Sequence, residues 1–391
     1  MPLTSEIGYT SGLSYLFSKK LTTMLSETIA KLDHIARPVL TRLSPVIATQ
    51  AYSSGRNVFL SAFFAEQPPH VRVAEELSRT LWGIEFRAPL LNAAGLFKNG
   101  EGYDLAYRQG AGGYLAGTTT THKRSGNTRN GIAKPFAPYP NSRAASNWLG
   151  LPNGGHAEVA KRLADVPHHH GFPIGASVMT APESSGETAL AEVVEGMQLY
   201  DRAGVNFLEL NESCPNVEHG ASSFEAISER LEYIADKFLS KRLRNLPVVV
   251  KFSTDADTKD VPRLVETLIS LGFDGINFGN TSTQYAAHRP HIHPADHAVF
   301  DYFTQTFGGG ISGEPLRILS LELVRAAKQH LDAHPPRREF HIIRTGGIAS
   351  GADVEQSLEA GASLAEWYTG LFERFAESGH RLYDEVFRAF R

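Results

Sequence analysis

Apolar positions follow two different rhythms along the chain. Over residues 1 to about 80, Leu21, Leu25, Ile29, Leu32 and Ile35 recur at the spacing of one helical face until Pro38 interrupts them. A second apolar patch, Val46-Ile47 and Val58-Phe59-Leu60 through Phe63-Phe64, surrounds Ser53-Ser54-Gly55 and ends before Pro68-Pro69. This region reads as a helical cap, either packed on the main domain or also touching a membrane or an apolar cosubstrate. From about residue 90 the rhythm changes: short runs rich in β-formers alternate with amphipathic stretches of helical length, the pattern of repeated βα units. The expected strands are Leu90 to Ala94, Gly113 to Gly117, Phe172 to Val178, Val205 to Leu210, Val248 to Phe252, Phe273 to Phe278, Phe340 to Arg344 and Ser363 to Tyr368. Eight such units predict an α/β fold, a (β/α)8 TIM barrel over residues 79–391 with a helical extension over 1–78; an open doubly wound sheet is the rival.

Composition narrows the function classes. A net charge of -4 gives the molecule as a whole no attraction to nucleic acid. The first 60 residues nevertheless hold six Lys/Arg against three Asp/Glu, a mild basic bias in the extension. No apolar run approaches the roughly 18 residues of a membrane span. The start also lacks a secretory pattern, because Lys19 and Lys20 follow its short apolar stretch and Glu6 precedes it. A cytoplasmic protein is expected, with peripheral contact on the cytoplasmic side of a membrane through residues 1–78 as a further reading. The single cysteine, Cys214, makes no intramolecular disulfide, and taken alone a lone cysteine is most often inert packing.

In a barrel, chemistry gathers at the C-terminal ends of the strands. Just past the expected strands stand Lys98, Thr118, Ser177, Asn211 with Cys214 and Asn216, Lys251, Asn280 with Thr281, Gly346-Gly347, and Tyr368-Thr369. Amides and a threonine supply neutral donors and acceptors, two lysines supply positive charge, and paired glycines let a backbone approach a ligand closely. The set suits a planar, polar, anionic ligand. Gly346-Gly347-Ile348 and Tyr368-Thr369-Gly370 fall where barrels commonly hold a phosphate. Neither a G-x-G-x-x-G after a strand nor a P-loop is present, so FMN fits better than NAD. The long connections 118–154 and 281–313 are the expected lids. His288, His291, His293 and His297 belong to the second; no cysteine or carboxylate geometry supports a metal there, and none is expected. His168 to His170 precede the third strand, at the wrong end of a barrel for catalysis.

The ordered motifs Asn92-Ala-Ala-Gly-Leu-Phe-Lys98, Gly117-Thr118, Asn147-Trp-Leu-Gly-Leu-Pro-Asn153, Asn211-Glu-Ser-Cys-Pro-Asn216, Val250-Lys251, Gly279-Asn280-Thr281, Gly309-Gly-Ile-Ser-Gly313, Gly346-Gly-Ile348 and Tyr368-Thr369 resemble those of dihydroorotate dehydrogenase from about residue 79 onward. By that resemblance, Ala94, Gly95, Lys98, Thr118, Ser177, Asn211, Lys251, Gly279, Gly313, Gly346, Gly347, Tyr368 and Thr369 hold FMN. Lys98, Asn147, the Leu149-Gly150-Leu151 backbone, Asn211, Asn216, Asn280 and Thr281 hold the pyrimidine and its carboxylate. The implied reaction oxidises dihydroorotate to orotate, with Cys214 as the base that takes the C5 proton and hydride passing from C6 to flavin N5. Lys251 then offsets charge developing on the flavin.

The family pattern is mixed. A cysteine base marks its soluble enzymes, whereas those that pass electrons to quinone use serine and carry an N-terminal helical domain. This chain has the cysteine and the extension. Where quinone-linked members place an arginine, five residues after Gly117, it has His122, followed by Lys123 and Arg124. Quinone or another apolar acceptor is the favoured partner, fumarate and NAD are the alternatives, and a homodimer is a further expectation. Competing functions are a relative acting on another dihydropyrimidine, if Phe97, Trp148 and Glu212 reshape the pocket, and an idle flavin-binding scaffold.

Overall fold

The computed structural model describes residues 25–212, 224–242 and 244–390. Helices α1 (Leu25–Leu40) and α2 (Pro45–Ala65) lead into eight parallel strands, β1 (Leu90–Asn92), β2 (Tyr114–Thr119), β3 (Ile174–Val178), β4 (Phe207–Asn211), β5 (Val248–Phe252), β6 (Gly275–Phe278), β7 (His341–Thr345) and β8 (Leu364–Trp367). The helices following them in turn are α3 (Tyr103–Gln109), α4 (His156–Ala164), α5 (Gly186–Arg202), α6 (Phe224–Lys237), α7 (Val261–Leu271), α8 (Arg317–Ala333), α9 (Gly351–Glu359) and α10 (Thr369–Ser378). The ladders run β1-β8-β7-β6-β5-β4-β3-β2, and the seam between β1 and β2 is closed by backbone bonds, Gly112 N–H to the Leu90 carbonyl and Gly95 N–H to the Gly117 carbonyl, and by one side chain. The Asn92 amide donates to the Leu115 carbonyl at 2.7 Å and accepts from the Leu115 N–H at 3.2 Å, standing in for a neighbouring backbone. The fold is a (β/α)8 barrel, and the open sheet is excluded.

Residues two apart on a strand share a face, so the inward positions stack in layers. The lowest is apolar: Leu91, Leu115, Phe207, Val249, Ile343 and Leu364 pack on Leu81, Trp82 and Phe86 of the hairpin Arg79–Leu81/Ile84–Phe86, which plugs the barrel floor. Gly175 and Gly275 complete this layer; a Cβ on Gly175 would meet the Phe207 ring at 2.2 Å, and one on Gly275 would crowd Val249 and Trp82. Two residues higher the lining turns polar, and two higher again it opens to the site.

Both long connections are more ordered than loops. Phe136–Tyr139, Ala144–Asn147 and Gly310–Gly313 form a three-stranded antiparallel sheet that ties one lid to the other above the barrel. The lid histidines serve this architecture: His288 Nε2 lies 2.7 Å from Ser282 Oγ, and His297 Nε2 lies 2.8 Å from the Ile292 carbonyl.

The extension corrects the expected end of its first helix. Helix α1 does not stop at Pro38 but runs to Leu40, because so close to its end only one N–H is forfeited, and the amide and hydroxyl of Thr41 both bond the Arg37 carbonyl. Its apolar stripe is also not the buried face: Ser26 and Ala30 are buried, while Leu25, Leu32, Ile35 and Val39 are exposed, Ile35 at 75%. Leu21, at the head of that stripe, lies outside the described residues. Helix α2 packs Phe59 and Phe63 on Phe375 of α10, and Glu66 at its end binds Ser26 of α1 and His380, with His380 Nε2 at 2.6 Å. Among the described residues no helix is long and apolar enough to cross a membrane.

Candidate active site

The polar layer is a closed hydrogen-bonded network. Lys251 Nζ donates to Glu209 at 3.2 Å and to Glu366 at 3.0 Å, with all three side chains at most 5% exposed. The Asn277 amide bridges the same two carboxylates at 2.8 and 3.1 Å. Thr345 Oγ1 donates to Glu366 at 2.9 Å or to the Asn277 carbonyl oxygen at 2.9 Å. On the other side Ser177 donates to Glu209 at 2.8 Å and lies 2.9 Å from Thr118 Oγ1, to which Asn211 Nδ2 donates at 3.3 Å. A hydrogen-bond chain thus rises from the buried charges of the barrel interior to its mouth.

Above it lies a cleft of about 130 Å³. Its walls carry Ala94, Gly95, Lys98, Thr118, Asn147, Leu149, Leu151, Asn211, Lys251, Gly279, Asn280, Thr281, Gly313, Gly346, Gly347, Tyr368 and Thr369, so the fold gathers most of the residues expected from the strand ends and motifs. Ser177 sits within β3 rather than past it, one layer beneath the wall, supporting Thr118. Gly150 is turned out of the cleft: its carbonyl accepts from Arg124 Nε at 3.2 Å, and a Cβ there would overlap Asn127. Cys214 and Asn216 lie outside the described residues. Strand-end reasoning passed over Glu209, Asn277, Thr345 and Glu366, although each is a polar residue inside an apolar run with the parity of a wall residue.

Electrostatics distinguish the buried groups. Burial alone would weaken the charge of Lys251, but Glu209 and Glu366 more than offset it and hold its pKa above the usual lysine value. For Glu366, burial and the like charge of Glu209 prevail over the pull of Lys251 and push its pKa up to about 7 from 4.5. The folded protein therefore keeps a proton on Glu366 between those values where the unfolded chain has lost it. The contribution of this group to stability falls as pH rises from about 4.5 to about 7 and is flat beyond, a change on the order of 3 kcal/mol. Glu366→Gln retains an acceptor for Lys251, Asn277 and Thr345 and removes this titration. The variant is expected to be about 3 kcal/mol more stable than the parent at pH 8 and nearly equal to it at pH 4.5. Denaturant unfolding at both pH values checks this; an equal difference at each would contradict it.

The two ends of the cleft differ in chemistry. One is rich in Lys98, Asn147, Asn211, Asn280 and Thr281, and among the described residues the buried Thr281 hydroxyl has no hydrogen-bond partner. The Asn280 amide meanwhile bonds Asn211 Oδ1 at 3.0 Å, holding the two amides as one surface. The other end is lined by Gly313, Gly346, Gly347 and the start of α10, whose N-terminus has no side-chain cap. First-turn amides of a helix lack partners within it, so this end presents donors and a positive dipole. The residues present fit a ligand with a phosphate at one end and a flat, hydrogen-bonding ring system towards the other.

Comparison with known proteins agrees with this geometry. Residues 76–388 match the family model of dihydroorotate dehydrogenase. The chain is 30% identical over 352 residues to the dihydroorotate dehydrogenase (quinone) of Methylococcus capsulatus, covering 88% of this chain and 95% of that one. A relative of the same description from Synechococcus is 31% identical over 336 residues, covering 85% of this chain and 83% of that one. Among solved structures, the DHODH of Eimeria tenella in complex with ferulenol shares the fold with a TM-score of 0.71 at 21% identity, covering 86% of this chain and 90% of that one. The chain belongs to the dihydroorotate dehydrogenase family of flavin-dependent oxidoreductases.

Proposed function

We propose that this enzyme oxidises dihydroorotate to orotate on bound FMN and delivers the electrons to a quinone. The observation that carries the reading is the position of Lys251, charged and buried beneath a cleft whose amide-rich and glycine-lined ends match the pyrimidine and the phosphate. Lys98 offsets the substrate carboxylate, and Asn147, Asn211, Asn280, Thr281 and the Leu149–Leu151 backbone hold the ring edge, with Asn216 assigned to the same task. Ala94, Gly95, Thr118, Gly279, Gly313, Gly346, Gly347, Tyr368 and Thr369 hold the cofactor, and Ser177 supports Thr118 from below. When bound, FMN supplies the two-electron acceptor for the hydride that leaves C6. Cys214 takes the C5 proton, and Lys251 keeps positive charge under the cofactor. Phe97, Trp148 and Glu212 do not line the cleft; they pack on Tyr114, on Phe307 and against Arg230 respectively, which favours dihydroorotate over another dihydropyrimidine.

Quinone as acceptor is supported by the names of the relatives and by the extension. Leu32, Ile35, Val39, Val46 and Ile47 give α1 and α2 an exposed apolar surface suited to a membrane interface or a prenyl tail. From α2, Arg56 donates to Tyr368 Oη at 2.7 Å, on the wall of the cleft. An arginine thus reaches the site from the extension, whereas the position five residues after Gly117 carries His122. Arg56→Leu is expected to raise KM for a soluble quinone about tenfold while leaving anaerobic flavin reduction unchanged. Equal losses in both half-reactions would assign Arg56 to the cofactor instead. The decisive experiment is anaerobic reduction of the bound flavin by dihydroorotate, then reoxidation by quinone, fumarate or NAD in turn. A colourless protein that cannot be reconstituted with FMN would overturn the reading; reoxidation by fumarate or NAD alone would overturn the acceptor.

A further inference from the structure

Behind the glycine-lined end of the cleft lies a guanidinium with no part in the reading above. Arg344 is on β7, but its side chain points away from the barrel axis into the seam with α8 and α9, and it is 0% exposed. Its Nε donates to Ser320 Oγ at 3.0 Å, Nη1 to Ser357 Oγ at 2.7 Å and the Asp353 carbonyl at 3.2 Å, and Nη2 to the Arg317 carbonyl at 2.7 Å and the Gly346 carbonyl at 3.4 Å. Every one of these acceptors is neutral. Among the described residues Arg344 makes no ion pair, which is uncommon for an arginine so completely buried.

The nearby carboxylates are engaged elsewhere. Arg317 is paired with Glu314 at 2.7 Å, and the Asp353 carboxylate is engaged by the Ala349 N–H at 3.1 Å and Ser350 Oγ at 2.7 Å. Arg317 and Arg325 add positive charge near Arg344, and Glu314 and Asp353 add negative charge without bonding it directly. Burial pulls the guanidinium pKa down to about 10, the sign of a cation whose surroundings compensate it poorly.

The geometry also says where an anion would feel this charge. The Gly346 carbonyl is gripped from behind by both Ser320, at 2.9 Å, and Arg344. In a trans peptide the following N–H is antiparallel to that carbonyl, so the Gly347 N–H points away from Arg344, towards the cleft that Gly347 lines. Gly347 has φ +73°, and a Cβ there would lie 2.3 Å from the Arg317 Cα, so this loop is pressed onto the start of α8 and cannot turn its peptide freely.

We propose that Arg344 is a positioning residue for the anionic end of the cleft: its buried charge and its hold on the Gly346 carbonyl make the site select a ligand carrying a phosphate monoester over the same ligand without one. The inference rests on the FMN reading and deepens it. The test compares FMN with riboflavin, binding each to flavin-stripped full-length protein and following flavin fluorescence. Arg344→Gln is expected to lower FMN affinity roughly tenfold or more while changing riboflavin affinity little. Ser357→Asp supplies an internal carboxylate at the same guanidinium; it is expected to stabilise the flavin-free protein and to lower the FMN-to-riboflavin ratio by a similar factor. Inorganic phosphate should raise the Tm of the flavin-free parent and not that of either variant. A ratio unchanged in Ser357→Asp, or a parallel loss of both ligands in Arg344→Gln, would overturn the proposal. A parent protein that does not distinguish FMN from riboflavin would instead overturn the FMN reading.

Discussion

Replacing Lys251 with methionine is expected to cost about 3 to 5 kcal/mol of stability at pH 8 and to slow flavin reduction by dihydroorotate roughly 10²- to 10³-fold. The two losses have one origin. Lys251 is the cation shared by Glu209 and Glu366, and methionine, of similar length, fills its space without its charge. Two carboxylates then face each other across the Asn277 amide in a buried layer, where an uncompensated charge is far more costly than in water. One of them must take a proton, so the deficit should shrink as pH falls, opposite to what simple loss of packing would give. Above this layer the cleft loses its buried positive charge, and with it the offset for electrons arriving on the cofactor.

Combination with Glu366→Gln separates the two effects. The double variant has one buried carboxylate and no lysine, so much of the lost stability should return, whereas flavin reduction should stay slow. Stability changes that simply add would mean that Lys251 and Glu366 are not energetically coupled, contrary to their 3.0 Å contact. Unfolding curves and stopped-flow reduction of the four proteins in the cycle provide the measurement.

Why the sequence disclosed the mouth of this site but not its foundation follows from the barrel's layering. Inward positions are two residues apart, so Phe207, Glu209 and Asn211 mark floor, middle and mouth on β4, as Leu364, Glu366 and Tyr368 do in β8 and just beyond. Looking just past each strand finds Asn211 and Tyr368 and passes over Glu209 and Glu366; Lys251 was found only because it sits near the end of its run. The carboxylates were visible as charges interrupting apolar strands, and parity would have placed them. Other features had no local signal. The lid sheet pairs Ala144–Asn147 with Gly310–Gly313 across more than half of the barrel sequence, and Arg56 meets Tyr368 from the opposite end of the chain. In α1 the spacing of leucines and isoleucines identifies a helix and a face, but period alone cannot say whether protein or something else covers that face.

Cys214→Ala is expected to retain FMN and lose roughly 10²- to 10⁴-fold in dihydroorotate-driven flavin reduction, the usual worth of a general base. The last described residues that precede Cys214 in the chain lie on and beside the cleft wall. Asn211 ends β4 on the cleft wall, bonded to Asn280 and Thr118, and Glu212 is pinned next to it by its N–H on the Lys251 carbonyl at 3.1 Å and by Arg230 on its carboxylate. A free thiol has a pKa near 8.5, and its thiolate is the basic form, so the reduction rate should rise with pH up to the thiol pKa of the complex and level off above it. In Cys214→Ser most but not all of the rate should be lost, since the hydroxyl can still relay a proton though it is a poorer base, and that rise should move to higher pH. Flavin reduction at the parental rate in Cys214→Ala would remove the cysteine from the mechanism and return it to the inert packing expected of most lone cysteines. A slowed rate with an unshifted pH profile would place the titrating base elsewhere on the cleft wall.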